Sequence, residues 1–240
     1  MKKTFLFFLL ISVLNNVYGE DLQIQNNFNS ENLFINSIPK SVGTSPNESK
    51  YFFLYNTFDL KDKLDYRIFK MALNGYYKIP DKKTDYLIIA DYSKLSSEKR
   101  FFILNMETLK LEEYTYVAHG KNSGADLAVS FSNKLNSYKS SIGFYLTGKP
   151  YNGRYGYSLK LYGLEDGYNS NAFKRGVVIH GASASEPSYI EKFGFLGRTE
   201  GCPAVPKSMS KKIIDKIKNG SVLFIYGNDT KYLRDSKLIK

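Results

Sequence analysis

Cys202, His180 and His119 are the only cysteine and histidine side chains in this 240-residue sequence. They are therefore the side chains whose ordinary titration lies closest to neutral pH. Cys202 lies in Gly197-Arg-Thr-Glu-Gly-Cys-Pro-Ala-Val-Pro206. Gly201 lets the backbone turn sharply beside the sulfur, while Pro203 and Pro206 stiffen the far side and keep a helix from starting at once. The segment reads as a held loop, and Arg198 favours the thiolate if its side chain points inward. A thiol needs a base, and His180 ends the apolar run Arg175-Gly-Val-Val-Ile-His180. A β run that finishes in His-Gly holds the imidazole rigidly at the edge of a site. The gap to Cys202 allows one loop or a short helix around Pro187 to Phe193 to bring the thiol back beside it. A neutral imidazole there takes the thiol proton and later returns it to a leaving amine, which is covalent acyl transfer. The residues alone leave a blander option open, an inert buried thiol and a hydrogen-bonded structural histidine. His119 ends a similar strand-like run, and either lines the site or serves the fold.

The same inventory limits other chemistry. A single cysteine makes no disulfide within the chain and no cysteine-based zinc cluster, and two histidines do not complete a structural zinc shell. Catalysis is expected to need no metal and no cofactor, although composition does not exclude a carboxylate-rich Mg²⁺ or Ca²⁺ site. Neither Gly-x-Gly-x-x-Gly nor Gly-Lys-Ser/Thr stands between a strand and a helix, so a phosphate-cradling loop is a poor match.

The elements that must position these groups are mostly β. Tyr86–Ala90, Phe101–Leu104, Tyr114–Ala118, Ile142–Thr147, Tyr157–Tyr162, Val177–Ile179 and Val222–Tyr226 are short β-prone runs between polar turns. Glycines crowd residues 120–175, as tight hairpins and close backbone approaches around a site would require. Helical spacing predicts one helix over Asn56–Tyr76, ended by Gly75 and Pro80, and a short amphipathic one around Met209–Ile217, stopped by Gly220. The expected fold is mainly β, a sandwich or barrel with an N-terminal helix and a short C-terminal helix.

Residues 1–19 read as an export signal: Lys2 and Lys3, an apolar run from Phe5 to Leu14, then small Val17 and Gly19 before a cut at Glu20. An uncleaved anchor is the other reading. No other stretch approaches the ~18 apolar residues of a membrane span, so no stable membrane insertion is expected after cleavage. The organisation expected is a signal over 1–19, a lead-in and helix over 20–80, a catalytic domain over 81–228 and a basic tail over 229–240. Net charge is +11. Such a surface favours anionic partners, and export makes envelope material a better fit than nucleic acid.

The stretch Val177-Val-Ile-His-Gly-Ala182, followed by Gly197-Arg-Thr-Glu-Gly-Cys-Pro-Ala-Val205, resembles the murein L,D-transpeptidase catalytic domain family of the YkuD type. It is most similar to the branch whose motif is Gly-Arg-Ser/Thr-x-Gly-Cys-Pro-Ala. Val117-Ala-His-Gly120, Phe131-Ser-Asn133, Ser140-Ser-Ile-Gly-Phe-Tyr145 and Gly156-Tyr-Ser-Leu-Lys-Leu161 extend the resemblance over about residues 85–226. It implies a YkuD-like fold, with Cys202 as nucleophile and His180 as general base. It further implies that the Gly181 carbonyl orients the imidazole and that the amides of Gly201 and Cys202 form the oxyanion hole. Arg198, Thr199 and His119 are the substrate-side candidates. The implied partners are peptidoglycan stem peptides, in the periplasm or cell envelope. A tetrapeptide stem would acylate the cysteine and pass to an amine, making a 3→3 crosslink, or to water, as in an L,D-carboxypeptidase. Two positions depart from many members: Glu200 stands where His precedes Gly-Cys, and Ala204 where Arg follows the cysteine. The non-enzymatic alternative is a basic envelope-binding module. The sequence does not determine the oligomeric state.

Overall fold

The computed structural model describes residues 46–240. The signal read at 1–19 and the first part of the lead-in lie outside the described residues.

Two helices stand where one was expected, α1 (Pro46–Thr57) and α2 (Tyr66–Lys78). The helical spacing of Phe58, Leu60 and Leu64 misled, because these three lie in the connecting loop and are buried there. Asp59 and Asp62 break the helix with left-handed backbone (φ 51° and 63°), a conformation aspartate tolerates better than most residues. Asp65 then caps α2 by accepting the Arg67 N–H. Gly75 lies inside α2 and does not end it. A Cβ there would fall 2.1 Å from the Phe144 ring, so glycine permits this helix to lie flat on the sheet. The inner face of α2 buries Ile68, Phe69, Ala72, Leu73 and Tyr76; each large apolar side chain among them contributes about 1.5–3 kcal/mol relative to exposure.

Eight strands follow: β1 (Tyr86–Asp91), β2 (Phe101–Asn105), β3 (Lys110–Thr115), β4 (Gly143–Gly153), β5 (Gly156–Gly163), β6 (Val178–Ala182), β7 (Ala204–Pro206) and β8 (Val222–Tyr226). They form one sheet in the order β3-β2-β1-β8-β4-β5-β6-β7. The β1–β8 and β6–β7 pairs are parallel and the others antiparallel. Nearly every residue of β1, β2 and β8 is buried, without the alternation of a half-exposed strand, so both of their faces are covered. Phe144 and Phe224 stack across the β4–β8 pair at 4.4 Å.

The chain beyond β3 is the structural link to the site. Tyr114–Ala118 was expected as a strand, but β3 ends at Thr115 and the residues after it leave the ladder. Ala118 then bridges Ala204 and Gly120 bridges Thr199. Residues that follow one edge strand thus meet the other edge strand and the loop before it, and the sheet is nearly closed into a barrel. Three further helices, α3 (Pro187–Phe193), α4 (Lys207–Ile217) and α5 (Thr230–Asp235), complete the described chain. The segment read as a basic tail folds back onto the domain. Tyr232 of α5 is fully buried and donates to Glu165, and the Ile239 carbonyl accepts from Asn74 of α2. No helix among the described residues is long and apolar enough to cross a membrane.

Candidate active site

The parallel pairing of β6 with β7 sets His180 opposite Ala204 and Gly181 opposite Val205. Carried back two residues, that register brings Cys202 level with Val178. The Val178 N–H indeed points at Cys202 Sγ at 3.5 Å. Val178 and His180 share one face of β6 because side chains alternate along a strand. Cys202 and His180 both line a single open cleft of about 490 Å³.

His180 is 5% exposed and its Nδ1 lies 3.1 Å from the Gly181 carbonyl. That contact assigns the proton to Nδ1 and leaves the Nε2 lone pair for a reacting group. The Tyr155 ring, at the tip of the β4–β5 hairpin, stacks on the imidazole with centroids 4.4 Å apart and planes 16° from parallel. Burial holds the imidazole below its ordinary 6.5, and the Gly181 carbonyl opposes that only in part. At neutral pH the ring is therefore uncharged and able to accept a proton.

The cysteine loop is clamped at Thr199. Its N–H donates to the His119 carbonyl at 2.9 Å, and its carbonyl accepts the Lys121 N–H at 2.7 Å. Its hydroxyl donates to the Cys202 carbonyl at 2.7 Å and accepts the Gly201 N–H at 3.1 Å. The hydroxyl offered to substrate by the sequence reading is thus engaged in shaping the turn. The same bonds bear on the amides expected to form an oxyanion hole. The Gly201 amide is occupied, whereas the Cys202 N–H has no acceptor among the described residues. Gly201 has φ +122°, and a Cβ there would sit 2.8 Å from the Lys139 carbonyl, so this turn requires glycine.

Arg175 is the cation that acts on the sulfur, and the sequence reading passed it by. Its guanidinium donates to the carbonyls of Ser132 (2.6 Å) and Lys139 (2.7 Å) and to the hydroxyls of Ser137 and Ser141. It thereby ties the 132–141 loop beneath Gly201. Arg198, expected to favour the thiolate, is instead an exposed residue on the cleft wall. Burial is the largest influence on the Cys202 thiol and pushes it above its ordinary 9.0. The Val178 N–H and Arg175 pull it down and Glu200 pushes it up further. At rest the cleft therefore holds a neutral thiol, whose Sγ donates to the Gly176 carbonyl at 3.6 Å, and a neutral imidazole. Iodoacetamide alkylation of Cys202 should accelerate with pH across neutrality and go on rising past 9.0. A rate already level below neutrality would mark a resting thiolate–imidazolium pair instead.

His119 does not line the cleft. It is buried behind the cysteine loop, with Arg100 Nη2 2.8 Å from its Nδ1, and its ring is pushed down to about 4 by burial and by that guanidinium. Its service is to the fold, through the carbonyl that holds Thr199. Lys121, Arg154 and Tyr155, none of them anticipated, join Arg198 and Glu200 on the cleft wall. Tyr155 had a faint signal, since Gly153-Arg-Tyr-Gly156 is a glycine-flanked tip in the glycine-rich region. Among the described residues no group of three His, Cys, Asp or Glu side chains could hold a metal ion.

A model of the L,D-transpeptidase catalytic domain family matches residues 60–226. Among solved structures, an L,D-transpeptidase from Mycobacterium smegmatis is similar at 11% identity over 60% of this chain and 59% of that one, with a TM-score of 0.38. An L,D-transpeptidase from Stackebrandtia nassauensis is similar at 13% identity over 88% and 97%, also with a TM-score of 0.38. The helical cell shape determining protein Pgp2 (K307A mutant) from Campylobacter jejuni is similar at 14% identity over 68% and 55%, with a TM-score of 0.39. The chain spans about three-fifths of the length of the first of these. No curated protein matches it. Because the family model takes in most of the sequence, from the loop after α1 to the end of β8, this chain belongs to the L,D-transpeptidase catalytic domain family.

Proposed function

We propose that this protein is an exported, cysteine-dependent peptidoglycan L,D-transpeptidase that acts in the periplasm or cell envelope. The observation that carries the reading is one cleft holding a thiol, an imidazole with Nε2 free, and an unpaired amide on the nucleophile's own residue. These are the nucleophile, base and oxyanion donor that amide cleavage requires. In the proposed reaction the Cys202 proton passes to His180 Nε2 as sulfur attacks the carbonyl of the third stem residue. The oxyanion accepts the Cys202 N–H, a donor of the kind whose loss typically costs ~10²–10³ in rate. The C–N bond breaks and D-Ala leaves with the proton from the imidazolium. The thioester then passes to an amine on a second stem. Arg198, exposed on the cleft wall without an ion-pair partner among the described residues, is the proposed holder of a donor carboxylate.

Incubation with purified disaccharide-tetrapeptide tests this, with products read by mass spectrometry. Release of D-Ala together with a 3→3 crosslinked dimer is expected. Tripeptide alone would make the enzyme an L,D-carboxypeptidase. Peptidoglycan binding that survives thiol alkylation, with no turnover, would make it an envelope-binding module.

A further inference from the structure

Glu200 is the one carboxylate on the cleft wall among the described residues, facing three cations, Lys121, Arg154 and Arg198. Its backbone is fixed on the Cys202 loop, because both neighbours are held, Thr199 by His119 and Lys121 and Gly201 by the Thr199 hydroxyl. Its side chain, by contrast, is loosely tied. The carboxylate is about half exposed, Lys121 Nζ stands 3.9 Å away and the Tyr155 hydroxyl 3.4 Å away. Both contacts are long, and neither holds the group against a better partner. Tyr155 also ties the carboxylate to the catalytic end of the cleft, since the ring that carries this hydroxyl lies flat on His180.

A thioester on Cys202 can pass to water or to an amine. Water needs no recognition. An alkyl amine arrives at neutral pH as an ammonium, and a wall bearing three cations repels it. Among the described residues Glu200 is the only lining side chain whose charge attracts it. We propose that Glu200 binds the acceptor ammonium and thereby sets the share of aminolysis over hydrolysis. The proposal rests on the reading of Cys202 as the acylated nucleophile. In the step itself the ammonium displaces Lys121 from the carboxylate and loses one proton to solvent. The amine nitrogen then forms a C–N bond to the acyl carbon as the C–S bond breaks. The second nitrogen proton passes to His180 Nε2 and on to the departing sulfur, restoring the thiol.

The test is a partition ratio, which counts fates per acylation event and is unaffected by how fast acylation runs. Disaccharide-tetrapeptide serves as donor, with isotopically heavy disaccharide-tripeptide as acceptor below saturation. Mixed dimer and light tripeptide are quantified by mass spectrometry. Glu200→Gln should lower the dimer-to-tripeptide ratio roughly fivefold, as loss of a half-exposed ion pair does. Glu200→Asp should recover part of it, and added salt should shrink the difference between wild type and Glu200→Gln. An unchanged ratio, with both products falling together, would reduce Glu200 to a structural role. Wild-type protein that gives tripeptide alone at every acceptor concentration would also overturn the assignment. The intact mass separates this from failure of the underlying reading. An acyl adduct on wild-type Cys202 with an unchanged ratio sinks Glu200 alone, whereas the lack of any adduct sinks both.

Discussion

Cys202→Ala protein exposed to a tetrapeptide donor or a carbapenem-type acylating agent should gain no mass, and its turnover should fall by at least ~10⁴. The size of the effect follows from the cleft's contents. Cys202 is the only thiol in the chain, and a serine or lysine elsewhere would lack the His180 imidazole as its base. The fold should survive. Alanine removes a sulfur from the wall of an open cleft and leaves the Val178 N–H, which now points at Sγ, without its partner. A buried amide left unpaired costs about 1 kcal/mol or more, which for a domain of this size lowers Tm by about 2–4 °C per kcal/mol. The Thr199 bonds to the Cys202 and Gly201 backbone do not involve the sulfur and should persist. Intact-protein mass and a melting curve on the same sample check both halves. An adduct on the alanine variant, or wild-type turnover by it, would refute the nucleophile assignment.

How legible all this was in the sequence depended on whether the deciding contacts are local. Val222–Tyr226 is a continuous apolar run that follows Gly220-Ser221, and the strand spans those residues. The Met209–Ile217 pattern is amphipathic and forms the greater part of a helix. The helix expected over Asn56–Tyr76 failed because its apolar spacing continues through a loop in which Leu60 and Leu64 are buried by tertiary contact. Only the left-handed aspartates reveal the break. The site divided in the same way. Cys202 and His180 stand out because their own neighbours, Gly201 and the β6 run, announce a turn and a strand. The strand, however, does not end at His180 but runs on to Ala182, because Gly181 and Ala182 pair with Val205 and Pro206 of β7. Arg175 and Tyr155 were missed as site residues because their roles lie in distant partners. Arg175 acts on a loop more than thirty residues earlier, and Tyr155 reaches His180 only through the β5–β6 pairing. Arg198 misled for the complementary reason: closeness in sequence to the thiol said nothing about which way the side chain points.

His180→Ala should slow acylation by ~10²–10⁴, the usual worth of a positioned general base. Its pH profile should change shape as well as height. In the proposed mechanism the base must be neutral, and burial holds the His180 titration below 6.5, so kcat/KM is expected to fall only on the acid side of that value. The thiol titrates above 9.0, so across neutrality attack relies on proton transfer to Nε2 and not on pre-formed thiolate. Without the imidazole only the small thiolate fraction reacts. The variant's residual rate should then climb tenfold per pH unit through neutrality, with no acid-side limb of its own. Added imidazole should restore part of the rate if it can occupy the space beneath Tyr155. Deacylation should slow too, because in the proposed mechanism the same nitrogen takes the proton of the incoming amine. A merely structural histidine would behave otherwise. Its loss would release Tyr155 and loosen β6 between β5 and β7, lowering Tm and all rates together while the shape of the pH profile stayed that of the wild type. A profile that keeps its acid limb in His180→Ala would assign that limb, and the base, to another group.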